Sequence, residues 1–239
     1  MRQIALSPAR RTPNLPARVK PLPDCQLYTF VDTAYLHGRS PALVAQQLCD
    51  GGADLIQLRA KNALRDEVRR LAEMILPVTQ RGGVGLVIND HWDIARDVGA
   101  ELCHLGQEDF FDAGFTQVSA LRPPPSALRV GLSTHTPPQC DRAVAAGADY
   151  VAIGPVYPTG TKPAARPVTL DYVRWAAANV EMPWFAIGGI NLTTLDEVLA
   201  AGARRICVVS AILNAPDVAA ECRRFKARLR DFPLTATGD

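Results

Sequence analysis

Two stretches of this chain end alike. Residues 84–90 read Val-Gly-Leu-Val-Ile-Asn-Asp, and residues 101–109 read Glu-Leu-Cys-His-Leu-Gly-Gln-Glu-Asp. Each apolar run closes on amide and acidic side chains, and Asp90 and Asp109 stand nineteen residues apart. In a parallel strand–helix–strand unit both strand ends reach the same side of the sheet. Two carboxylates there form a hard-oxygen site of the kind Mg²⁺ uses together with substrate phosphates. The plainer reading of either Asp is a helix N-cap. Their equivalent positions favour the metal.

Other polar groups gather at run ends. Gln57, Arg59 and Lys61 alternate through Ile-Gln-Leu-Arg-Ala-Lys, residues 56–61. A period of two puts all three on one side of a strand. Arg grips phosphate oxygens bidentately and Lys adds a point charge, so the pair suits a diphosphate. The competing reading is a solvated strand end paired with a helix. Thr159, Thr161 and Lys162 lie in Gly-Pro-Val-Tyr-Pro-Thr-Gly-Thr-Lys, residues 154–162. This loop is either a connector or a cover for a ligand, with hydroxyl donors and one cation. Gly188-Gly189 and Val209-Ser210 close the last two apolar runs, where backbone N–H groups can hold a phosphate. Asp32 closes the first run and Ser133-Thr134-His135 the fifth. The four histidines, His37, His91, His104 and His135, are scattered, and no compelling Ser-His-Asp or Cys-His set is present. His104 reads as barrel-lining or buried, and His135 as a mouth residue used for hydrogen bonding rather than catalysis.

The elements that must position these groups follow from a weak repeat. Gly-Ala-acid follows a helix at Gly52-Ala53-Asp54, Gly99-Ala100-Glu101 and Gly147-Ala148-Asp149, and Gly202-Ala203-Arg204 is a fourth copy with the charge reversed. Gly is the left-handed cap of the preceding helix, and the next strand opens behind it. The spacings of 47, 48 and 55 residues are about twice one strand–helix unit of a compact barrel. Four repeats of two units predict a single (β/α)8 TIM barrel in the α/β class, with a doubly wound open sheet as the structural alternative. Strands are expected near 26–31, 54–58, 84–88, 101–105, 129–132, 149–153, 184–187 and 205–209. Leu64, Val68, Leu71 and Ile75 mark one face of the second helix. Thr194 and Glu197 offer a capping box for the seventh. The fourth helical region, with Arg122-Pro123-Pro124-Pro125, is short and loop-rich.

The bulk numbers agree with one globular enzyme domain. The 239 residues carry a formal charge of +2 and are 48% hydrophobic. That balance favours neither nucleic acid nor an acidic membrane surface, and no apolar run reaches the length of a membrane span. The six cysteines form no CxxC pair and read as buried free thiols of a reducing cytoplasm. Residues 1–23 hold five prolines, five basic residues and no acid, and are expected to form a disordered leader ahead of a catalytic barrel at 24–232. Residues 233–239 are expected to be a tail.

These motifs resemble the thiamine-phosphate synthase family. The resemblance rests on IQLRAK at 56–61, IND at 88–90, GQED at 106–109, GLSTHT at 131–136, GPVYPTGTK at 154–162, IGGI at 187–190 and VVSA at 208–211, in family order. It implies a cytoplasmic transferase of thiamine biosynthesis on a TIM barrel, acting on small molecules, with a homo-oligomer compatible. Such an enzyme joins a hydroxymethylpyrimidine diphosphate to a thiazole phosphate and releases diphosphate by dissociative substitution. By motif, Gln57, Leu58, Arg59, Ala60, Lys61, Asn89, Ser133 and Lys162 would hold the pyrimidine diphosphate. Arg59, Lys61, Ser133 and Lys162 would be the catalytic members of that set. Asp90 and Asp109 would hold Mg²⁺. Thr159, Gly160, Thr161, Gly189, Val209 and Ser210 would hold the thiazole phosphate. Ala60 and Gly160 depart from the family, which commonly has acids there. Two alternatives share the fold: a thiazole-phosphate tautomerase-like isomerase, and a non-catalytic thiazole-phosphate binder.

Overall fold

The computed structural model describes residues 18–161 and 166–234. Eight parallel strands form a closed barrel in sequential order: β1 Leu27–Asp32, β2 Leu55–Arg59, β3 Gly85–Asn89, β4 Leu102–Gly106, β5 Arg129–Thr134, β6 Tyr150–Ile153, β7 Trp184–Ile187 and β8 Ile206–Cys207. β8 pairs back onto β1 through Leu27 and Ile206. The fold is therefore the TIM barrel, and the open-sheet alternative is excluded. Helices flank the strands: α1 Pro41–Asp50, α2 Arg65–Gly82, α3 Trp92–Val98, α4 Gln107–Asp112, α5 Pro137–Ala145, α6 Thr169–Asn179, α7 Leu195–Ala200, α8 Ser210–Leu213 and α9 Val218–Arg230. The fourth helical region is indeed short: six residues of α4, then a 3-10 turn over Val118–Leu121.

The Gly-Ala-acid repeat has a physical use at the N-terminal rim of the barrel. The repeat glycines Gly52, Gly99, Gly147 and Gly202 all have φ between 77° and 106°, the left-handed cap. Each acid accepts N–H groups from the start of the preceding strand. Asp54 accepts from Gln26 and Leu27 at 2.8 and 2.9 Å, Glu101 from Leu86 at 3.0 Å, and Asp149 from Val130 at 2.7 Å. Backbone donors at a strand end must find partners, and the carboxylates supply them. In the fourth copy the charge reverses because Arg204 caps carbonyls instead, donating to Leu199 and Ala203.

Three sequence expectations change. Leu64 does not belong to the buried face of α2: it precedes the helix as N-cap with extended backbone and is 80% exposed. The buried face runs Val68, Ala72, Ile75, Val78 and Thr79. The capping box at α7 does not form. The Thr194 hydroxyl turns back to Asn191, whose side chain accepts from the N–H groups of Thr193 and Thr194, and Glu197 accepts from the Tyr157 hydroxyl at 3.0 Å. Finally, contacts to the barrel reach upstream of residue 24. Residues 1–17 of the expected leader lie outside the described residues, but Leu22 is buried in the core and Lys20 pairs with Asp54 at 3.1 Å. Five of the six cysteines are buried and Cys49 is partly so, all as free thiols.

Candidate active site

The C-terminal ends of the strands enclose one cavity of about 1000 Å³, its open mouth included. It is lined by Gln57, Arg59 and Lys61 from the β2 end, Asn89 and Asp90 from β3, Asp109 from α4, and Ser133 from β5. Thr159, Thr161, Gly189, Val209 and Ser210 line the same cavity. Alternation along β2 selects the first three: Leu58 is buried in the core, as is Ala60 beyond the strand end, and neither lines the cavity. Gly160 lies in the loop between two lining residues without lining the cavity itself. Lys162 lies outside the described residues.

Arg59 is held on two sides within the cavity wall. It is 8% exposed, and its Nη1 donates to Asp32 Oδ2 at 2.7 Å. Asp32 is 1% exposed, sits opposite Arg59 in the β1–β2 register, and also accepts from Ala34 N–H at 3.0 Å. A charged group this buried needs such pairing. Arg59 Nη2 donates to the Thr161 carbonyl at 3.3 Å, which ties the β2 end to the loop after β6. Asp32 was legible only as a strand-end acid; its partner depends on the strand register.

Neither cavity Asp serves as a helix cap. The N-caps of α3 and α4 are His91 and Gly106, and neither makes a side-chain cap bond. Asp90 adopts φ +63°, a conformation that Asp and Asn tolerate best among residues with a Cβ and that collects at functional sites. Its N–H donates to the His104 carbonyl at 2.9 Å, and its Oδ2 accepts from Asn89 Nδ2 at 2.6 Å. Asp109 lies in the first turn of α4 beside Gly106, where a Cβ would come within 2.7 Å of its carboxylate. Both carboxylates line the one cavity and are hard-oxygen donors, chemistry that suits Mg²⁺ better than a thiophilic metal, while no group of three or more His, Cys, Asp or Glu side chains gathers as a metal site among the described residues.

On the opposite side, the glycine pair lets the loops after β6 and β7 pack together. Val156 and Tyr157 donate N–H groups to Ile187 and Gly188 at 2.8 and 3.1 Å, and a Cβ on Gly189 would lie 2.7 Å from the Pro158 carbonyl. Thr161 is bonded to the Tyr35 hydroxyl at 3.3 Å. His135 lines the cavity and bonds the Gly154 carbonyl through Nδ1, a hydrogen-bonding role as expected. His104 is buried and lines the floor. Sequence reasoning missed two floor residues, Tyr28 and Phe30, which look like ordinary core positions of an apolar strand.

Comparison with known proteins identifies the family. The family model for thiamine monophosphate synthase matches residues 27–212. The thiamine-phosphate synthase of Thermus thermophilus is 47% identical over 180 residues, 75% of this chain and 84% of that protein. That of Acidothermus cellulolyticus is 43% identical over 210 residues, 87% of this chain and 96% of the relative. Among solved structures, a thiamine phosphate pyrophosphorylase from Pyrococcus furiosus superposes with a TM-score of 0.77 at 28% identity, covering 88% of this chain and 98% of that one. A 3-hexulose-6-phosphate synthase, at 17% identity and a TM-score of 0.59, shares the fold alone. No helix among the described residues is long and apolar enough to cross a membrane. On the strength of the family model and these relatives, the chain belongs to the thiamine monophosphate synthase family.

Proposed function

We propose that the chain is a thiamine-phosphate synthase. It joins 4-amino-2-methyl-5-hydroxymethylpyrimidine diphosphate to 4-methyl-5-(2-phosphoethyl)thiazole, giving thiamine phosphate and diphosphate, or to its carboxylated tautomer, giving the same products with loss of CO2. The observation that carries this reading is the two-sided cavity. Arg59, Lys61, Asn89, Asp90, Asp109 and Ser133 line it together with Thr159, Thr161, Gly189, Val209 and Ser210. One side suits a diphosphate and the other a phosphate monoester.

The step needs no protein nucleophile. The bond from the pyrimidine methylene carbon to oxygen breaks, and the diphosphate leaves with the electron pair. The thiazole nitrogen then gives its lone pair to that carbon. Arg59, preset by Asp32, and Lys61 neutralise the charge that grows on the diphosphate, and Ser133 donates to it. Mg²⁺ held by Asp90 and Asp109 would supply further Lewis-acid stabilisation of the leaving group. The β6 loop and the residues after β7 and β8 hold the thiazole phosphate so that its nitrogen faces the reacting carbon, an arrangement that removes much of the entropic barrier. By motif, Lys162 would be a further cation for the diphosphate.

The test is an assay of purified protein with both substrates, with and without Mg²⁺, following product by oxidation to fluorescent thiochrome. Mg²⁺-dependent thiamine phosphate is expected. Folded protein that makes none would overturn the reading in favour of an isomerase or a binding protein.

A further inference from the structure

A continuous run of hydrogen bonds crosses the barrel beneath the mouth. Gln57 Nε2 donates to the Tyr28 hydroxyl at 2.5 Å, the hydroxyls of Tyr28 and Tyr150 are 3.2 Å apart, and the Tyr150 hydroxyl is 3.1 Å from His104 Nδ1. All four residues are buried, and Tyr28, Gln57 and His104 line the cavity floor. Each hydroxyl has one proton to give. Tyr28 accepts from Gln57, so its proton goes to Tyr150, and the Tyr150 proton goes to His104 Nδ1. His104 therefore carries its own proton on Nε2. The chain has a direction, and its two ends are coupled. Turning the Gln57 amide over would reverse every donor and move the imidazole proton to Nδ1.

The fold is built around this chain. The Tyr150 ring lies directly over Gly131 of β5, and a Cβ at that position would overlap the ring. Phe185 packs edge-on to both tyrosines, with centroids 5.4 and 5.7 Å away. Burial pushes both phenols far above their ordinary range, so both keep their protons.

We infer that Tyr28, Tyr150 and His104 are positioning residues for substrate choice, holding the Gln57 amide so that Oε1 and its second amide hydrogen present a fixed acceptor–donor edge to the pyrimidine. The inference deepens the synthase reading and rests on it. An aminopyrimidine offers the complement: an amine donor beside a ring-nitrogen acceptor. Gln reads the amine-and-nitrogen edge of adenine in the same way. A 4-oxo pyrimidine offers the reverse, a carbonyl beside a ring N–H, and demands the amide turned over. The chain opposes that turn, because His104, Tyr150 and Tyr28 must reverse with it.

The experiment measures kcat/KM for the 4-amino substrate and for its 4-oxo analogue in wild type, Tyr28→Phe and Tyr150→Phe. Intrinsic reactivity of the two rings cancels when their ratio is compared between proteins. Wild type should prefer the amine by on the order of 100-fold or more. Tyr28→Phe removes the lock on the amide, and the preference should fall about tenfold. Tyr150→Phe cuts the chain one link further on, and the fall should be about threefold, so this variant carries the test if the first fails to fold. A merely structural role would slow both substrates equally. An unchanged ratio in the folded variants therefore overturns this inference while leaving the synthase reading intact. Wild type that makes no product with the amine substrate overturns both.

Discussion

At the scale of single residues, the site depends on groups that hold other groups. In the proposed synthase, Arg59 meets the diphosphate with a guanidinium that Asp32 fixes along one edge. Asp32→Asn keeps the volume and removes the charge. We expect the KM for the pyrimidine diphosphate to rise about tenfold, the scale of one weakened charge-assisted hydrogen bond. Steady-state kinetics with the pyrimidine diphosphate varied would decide it; an unchanged KM would mean that Arg59 is oriented by something other than Asp32. The cavity face of Gln57, Arg59 and Lys61 was legible because strand alternation is a local rule. The partners of those residues were not. Arg59 meets Asp32 across 27 residues and Tyr28 meets Tyr150 across 122, and such pairings exist only once the register is fixed.

At the scale of elements, β5 carries the clearest local constraint. Gly131 leaves the space that the Tyr150 ring fills. Gly131→Ala should destabilise the protein by about 1–3 kcal/mol, as overpacked cores do, and should weaken discrimination among pyrimidines by displacing Tyr150. Thermal unfolding checks the first effect. A variant as stable as wild type would show that the ring has room to move. Element existence and order were readable from apolar runs and turn residues. Element ends were less so. Leu64 fits the helical period of α2 yet precedes it, because periodicity does not say where a helix begins. Thr194 has the right spacing to Glu197 for a capping box, but Asn191 captures its hydroxyl first.

At the scale of the whole molecule, Asp54 joins distant parts of the chain. It accepts from the N–H groups that open β1 and pairs with Lys20 of the entering segment and Lys226 of α9, at 3.1 and 2.5 Å. The closing helix and the entering segment thus meet on one buried carboxylate. Burial pushes the Asp54 carboxyl up, but the N–H groups of Leu27 and Gln26 and the Lys226 ammonium outweigh it and leave it below the ordinary 3.8. A carboxyl held low stabilises the fold above its unfolded value, and that contribution is lost as pH falls through the lower folded value. Stability from Asp54 should be complete near neutrality and fade below pH 3.8. Asp54→Asn should cost about 2–3 kcal/mol, or roughly 5–10 °C in Tm. Scans near pH 7 and near pH 3 would test this: the difference between variant and wild type should shrink at the lower pH, and a constant difference would contradict the linkage. The Gly-Ala-acid repeat that counted the strands was visible in the sequence. Its reason, a carboxylate for the openings of β1, β3 and β5, needed the barrel.

The same scale holds the central claim, that one mouth joins a metal-assisted diphosphate side to a phosphate side. It is tested most directly by the Mg²⁺ dependence of thiamine phosphate formation in wild type, Asp90→Asn and Asp109→Asn, each checked for folding by circular dichroism. We expect both variants to be folded and slower by on the order of 100-fold or more at limiting Mg²⁺. Near-normal turnover of both variants at limiting Mg²⁺ would contradict the assignment of the two carboxylates and the chemistry built on them.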